Sequence, residues 1–135
     1  MNKQEAAKLL AMVKVAYPTA YRDMDADMIA ATVNMWQMSF PHTPYVVMEI
    51  AFDNFRRTNK YPPTIAEMNT KLEELCFCAW QNRNIARTYG DTIAERRWQY
   101  VMDNAKTTPT VEEHWHLVSA RIDGALLGEG NNVQR

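Results

Sequence analysis

The sequence is short of several things, and each shortage excludes something. It has four glycines in 135 residues. None falls in a Gly-x-Gly-x-x-Gly or Walker arrangement, so a nucleotide cradle has no support. It has two cysteines, Cys76 and Cys78, too close in sequence for an ordinary structural disulfide, and a reducing compartment is the simpler reading. No apolar run approaches the roughly 20 residues that span a bilayer. The opening Met-Asn-Lys-Gln-Glu lacks the apolar stretch and cleavage site of a signal peptide. A cytoplasmic protein with no membrane partner is expected. Net charge is only −1, which argues against a protein that coats nucleic acid through charge alone. The charge is uneven, with residues 1–75 at −1, 76–106 at +2 and 107–135 at −2, but these are weak fields.

Strand alternation is also missing. Apolar residues recur at three- and four-residue steps instead, which is the helical signal. Ala6, Leu9, Leu10, Val13 and Ala16 line a first helix that Pro18 closes. A second starts near Asp25, an N-cap residue type, and is expected to bury Ile29, Val33, Trp36 and Phe40. Thr43 and Pro44 read as the cap and first turn of a third helix, carrying Val47, Met48, Ala51, Phe52 and Phe55. Pro62 and Pro63 stop it. Thr64 and Glu67 form a capping box for a fourth helix, which buries Ile65, Met68, Leu72 and Leu75 and runs past Phe77 and Trp80 toward Tyr89, with Gly90 as its stop. Asp91 or Thr92, with Glu95, opens a fifth helix containing Ile93, Arg97, Trp98 and Val101. Thr110 and Glu113 form a second box, opening a last helix with Val111, Trp115, Val118, Ile122 and Leu126 that ends near Gly128. The expected fold is all-α, a small bundle of about six helices with short loops. Residues 1–75 are expected as an N-terminal helical domain. Residues 76–128 are read as C-terminal helices, packed on it or partner-binding, and 129–135 as a flexible tail.

Sites of chemistry are scarce. Cys76, Cys78, His114 and His116 are the only grouped soft ligands, and each pair is separated by one residue. On a helix such neighbours point in nearly opposite directions, unlike zinc ligands. Cys76 or Ser119 pairs with no histidine in any recognisable nucleophile pattern. Carboxylate pairs such as Asp25/Asp27 and Glu73/Glu74 fit helix starts and solvated faces. No catalytic residue, metal or cofactor is expected, and the chain is read as a non-enzyme. The methionines Met24, Met28, Met35, Met38, Met48 and Met68 recur at helical spacing and are read as core filler. Arg83 and Arg87 share a helix face. With Arg96 and Arg97 they are the candidates for phosphate contact, although a solvated face explains them as well and direct nucleic-acid binding is not expected.

Three stretches add a resemblance. "EAAKLLAMVKVAYP", "MIAATVNMWQMSF" and "YVVMEIAFDNFRRTNKYPPTIAEM" together resemble the loader-and-inhibitor family of replicative helicases found in tailed phages. The features fall on Tyr17-Pro18, Trp36 and the run Thr58-Asn59-Lys60-Tyr61-Pro62-Pro63-Thr64-Ile65, the last being the most specific. The resemblance covers roughly residues 5–72. It implies an accessory factor of phage DNA replication that binds a hexameric, DnaB-type helicase in its nucleotide-bound form. Such a factor keeps the helicase inactive, assists its loading and is released at an origin-bound initiator protein. It also implies an N-terminal helical domain and a C-terminal part that carries much of the helicase contact. Residues 91–127 depart from that pattern by showing capping signals and helical periodicity, so they are expected to fold, alone or on binding.

The candidate partner-binding residues are the stripe Trp115, Val118 and Ile122, with Arg56, Arg57 and Lys60 as a polar contact surface. Pro62, Pro63, Thr64 and Glu67 are read as architecture. Two other readings stay open, a small helical DNA-binding module and a self-associating assembly protein.

Overall fold

The computed structural model describes residues 1–105 and 119–128, and every regular element among them is a helix. Helix α1 spans Lys3–Ala16. Its start is fixed by a capping box that the sequence reading did not use: the Glu5 amide donates to Asn2 at 2.8 Å and the Asn2 amide to Glu5 at 2.9 Å. Ala6, Leu9, Leu10 and Val13 are buried, while Ala16 is exposed. The turn that follows is held by Lys14, whose Nζ donates to the carbonyls of Pro18 and Ala20 at 2.7 and 2.6 Å. Within this turn Tyr21 sits at a positive φ of 61°, a left-handed conformation that is uncommon for residues with a Cβ.

Helix α2 spans Ala26–Ser39, with Asp25 accepting from the Met28 amide. It buries Trp36, whose ring lies 5.9 Å from that of Phe40 at the helix end. Phe40 is buried as expected and half-buried Val33 packs against the core, but Ile29 is 46% exposed, and Met28, Met35 and Met38 are exposed rather than core filler. The physical reason is that α2 packs chiefly against α1, and a single neighbour covers one stripe of a helix that is apolar over a wider arc. Met48 and Met68 do fill the core, and Met1 is buried with them.

Helix α3 spans Tyr45–Thr58. The expected Thr43 cap is also corrected: Pro44 occupies the cap position and no side chain caps the helix. Thr43 is buried instead, and its carbonyl is one of three that receive the N-terminal ammonium. Met1 donates to Phe40, Pro41 and Thr43 at 2.9, 3.4 and 2.7 Å. The α2–α3 corner is thus closed by the first residue of the chain, because carbonyls turned inward at a proline-rich corner need donors.

Helix α4, Ile65–Thr88, runs 24 residues without interruption, about 36 Å at the usual helical rise. Both bonds of the Thr64–Glu67 box are formed, at 3.1 Å each. Gly90 then reverses the chain at φ 70°, where a Cβ would be strained. Helix α5, Thr92–Asn104, returns along α4 with Asp91 accepting from the Ala94 amide. Val101 is buried and Trp98 half-buried, but Ile93 is exposed, since it faces away from α4. The core joins α1 and α3 to the first half of α4 through Leu9, Val13, Phe52, Phe55, Met68 and Leu72. The second half of α4 packs against α5. Residues 119–128 form a further helical stretch, here α6, almost wholly exposed.

Candidate functional site

The residues around the double proline are built as a joint. Tyr17, at the end of α1, donates its hydroxyl to the Asn59 carbonyl at 2.7 Å, and its ring meets Phe52 edge-on at 6.5 Å. Asn59 turns its side-chain amide back to the Phe55 carbonyl at 2.9 Å, closing α3. Pro63 is buried and Pro62 half-buried, and the Thr64 cap follows at once. Burial raises the Tyr17 pKa; Arg56 opposes that rise and Glu67 adds to it.

Arg56 and Arg57 stand on the last turn of α3, and both reach back to Asp53. Arg56 Nε donates to Asp53 Oδ1 at 2.9 Å, and Arg57 Nη2 to Oδ2 at 3.0 Å. Those hydrogen bonds lower the Asp53 pKa, Arg56 first and Arg57 second. Lys60 is exposed, its ammonium 5.9 Å from the Tyr61 ring centre. The three basic residues proposed for a polar surface therefore lie within one turn of chain around the α3 end, with two of them sharing one carboxylate.

The arginines considered for phosphate stand on α4 and α5. Arg83 is half-buried, giving Nη1 to Gln99 at 2.8 Å and Nη2 to Asn84 at 3.1 Å. Arg87 is paired with Glu95 at 2.7 Å across the α4–α5 turn. Arg96 and Arg97 are exposed on α5. Arg83 and Arg87 thereby fasten α5 to α4.

Of the stripe Trp115, Val118 and Ile122, the first two lie outside the described residues, as do His114, His116 and the Thr110–Glu113 box. Ile122 is 50% exposed on α6, with Leu126 and Leu127 exposed beside it. Two apolar surfaces were missed in the sequence. One is the methionine face of α2. The other is on α4, where Phe77 (60% exposed) and Trp80 (46%) stack with ring centres 6.0 Å apart. The signal was present. Leu72, Leu75 and Ala79 take one face of α4, and Phe77 and Trp80 fall outside it. A helix with apolar residues on two faces needs two neighbours.

Cys76 is half-buried, Cys78 is exposed, and both are free thiols. No group of histidine, cysteine and acidic residues among the described residues has the arrangement of a metal site, and no helix among them is long and apolar enough to cross a membrane. What the geometry offers is a rigid joint, a paired basic edge and exposed apolar helix faces.

The family model G39P_N, the N-terminal domain of the phage gene 39 protein, matches residues 1–69. The chain belongs to this family. The gene 39 protein family comprises loaders and inhibitors of a DnaB-type phage helicase and is not a catalytic family. Neither curated proteins nor solved structures gave a match. The gene 39 match takes in α1, α2, α3 and the first turn of α4, so Tyr17, Trp36 and the Tyr61–Ile65 joint all lie inside it.

Proposed function

We propose that this chain binds the hexameric, DnaB-type replicative helicase of a phage, keeps it inactive and assists its loading where an origin-bound initiator takes the complex over. The observation that carries this reading is the gene 39 family match over residues 1–69. In this reading residues 1–75 are the rigid N-terminal unit and 76–128 carry the helicase-facing surface. Exposed Ile122 on α6 is the described member of the apolar stripe, and an apolar helix face of this kind lies in a groove. Arg56, Arg57 and Lys60 form a separate polar edge. The adaptor acts by differential affinity: it binds one helicase state better than another and shifts the population toward that state. Release follows when the initiator competes for the same complex.

Co-purification with the cognate helicase, with and without a non-hydrolysable ATP analogue, tests the reading. Retention should be strong with the analogue and weak without it, and should be lost when residues 107–135 are deleted. Retention unchanged by the deletion would remove the apolar stripe from the contact, and no retention under either condition would remove the reading. The net charge of −1 speaks against the DNA-binding alternative, so duplex binding at physiological salt should be negligible. A nucleic-acid module would instead show binding that falls steeply with salt.

A further inference from the structure

The corner between α2 and α3 is held by a buried positive charge. Helix α2 ends at Ser39 with no basic residue in its last turn, so no side chain there meets the partial negative charge of its C-terminus. The carbonyls of Phe40, Pro41 and Thr43 converge beyond that end. Among the described residues, no backbone amide outside the helices donates to any of them. The Met1 α-ammonium does, at 2.9, 3.4 and 2.7 Å. An ammonium has three N–H donors, and here each finds an acceptor, as a buried charge requires. The rest of residue 1 is held as well. Its side chain belongs to the core, the residue is 6% exposed, and Gln37 Nε2 donates to its carbonyl at 3.5 Å.

An acyl group on this amine is incompatible with that arrangement. A formyl or acetyl amide is neutral and keeps a single N–H. Two of the three carbonyls then lose their donor, and all three lose the charge. Carbonyls left buried without a donor are costly. The acyl group also needs space beside a residue that has almost none, so the corner has to open to admit it. Helix α2 is the element most affected. It packs chiefly against α1, and this corner is what ties its end to the start of α3.

We propose that the Met1 α-amine is a modification site that sets the state of α2: free, it locks the α2–α3 corner, and acylated, it releases it. The amine is buried once the corner closes, so an acyl group is added or removed only while the corner is open. Removal of a formyl group is a hydrolysis. Water adds to the formyl carbon, the C–N bond breaks, formate leaves, and the amine takes up a proton to become the ammonium that the carbonyls hold. A hydrolase of that class therefore acts ahead of the closed fold. The exposed methionines Met28, Met35 and Met38 ride on the helix that the lock controls.

The test compares two full-length chains, identical except that Met1 carries a free amine in one and an acetyl group in the other. Both are made by joining a synthetic segment 1–75 to residues 76–135 at Cys76. Acetylation should speed amide exchange across residues 36–43 at least tenfold and leave residues 68–79 of α4 as they are. Unchanged exchange at 36–43, or an equal rise in both segments, overturns the proposal. A second measurement needs no acetylated chain to fold. The native full-length protein is treated with the N-hydroxysuccinimide ester of acetic acid at neutral pH, and acylation at the Met1 α-amine is followed by mass spectrometry. It should be at least tenfold slower than at the α-amine of the free peptide Met-Asn-Lys-Gln-Glu, and equal rates overturn the proposal. Either failure leaves the helicase co-purification result standing.

Discussion

The hydroxyl of Tyr17 joins two helix ends that are 42 residues apart in sequence, and its removal is a sharp probe of the joint. Tyr17→Phe keeps the ring on Phe52 but leaves the Asn59 carbonyl without that donor. The expected loss is about 1 kcal/mol, read as a lower denaturation midpoint at an unchanged slope. The same residue sets an alkaline limit. Its folded pKa is raised above the ordinary tyrosine value by burial, so the folded state holds the proton more tightly than the unfolded chain. That stabilisation is whole below about pH 10 and is lost as pH rises through the folded value. Tyr17→Phe should therefore lose less stability above pH 10 than the parent does, and equal alkaline losses would show that the residue has no part in it. Asp53 has the opposite sign. Its pKa is lowered by Arg56 and Arg57, so its contribution is present above the ordinary aspartate range and lost as pH falls through the folded value.

Elements were legible where local chemistry decides them. Gly90 and the Thr64–Glu67 box each act within a few residues, and each stands where the sequence places it; α3 is closed by Asn59, ahead of the expected Pro62–Pro63 stop. Removing the box tests this directly. Thr64→Ala should cost about 1 kcal/mol, and Thr64→Ser should restore most of it, both read by thermal unfolding. The misreadings have a different origin. Thr43 is a good cap by type, yet the inward turn of its carbonyl toward the Met1 ammonium depends on a contact with the far end of the segment. The exposure of Ile29, Met35 and Met38 depends on how many neighbours α2 has, which no window along the chain contains. Phe77 and Trp80 were placed on the right helix without a face, because the face is settled only by where α5 returns.

At the scale of the molecule, α4 belongs to both halves. The family match ends at residue 69, five residues into a helix whose Leu72, Leu75 and Ala79 are core side chains. A fragment of residues 1–69 gives up the burial of both leucines, about 3–6 kcal/mol at the usual cost per side chain. That is a large part of the stability of a small domain. The fragment should show weakened helical circular dichroism and no cooperative melt, whereas residues 1–105 should melt in one transition. A fully cooperative 1–69 fragment would mean that the second half of α4 is dispensable to the core. The all-helical class and most helix positions could thus be read in advance, but the candidate surfaces could not, since a surface is whatever the packing leaves uncovered.

Tyr17, Trp36 and Pro63, on which the resemblance in the sequence rests, are buried at the joint or in the core. This shapes what a genetic screen in the phage will return. Substitutions at those positions reduce the folded fraction and feed the cell's proteases, so they should appear as heat-sensitive alleles that overexpression rescues. Under the proposed helicase contact, alleles that fail at every temperature with normal protein abundance, and that are suppressed by changes in the helicase gene, should fall at the exposed positions of α6 and around Lys60.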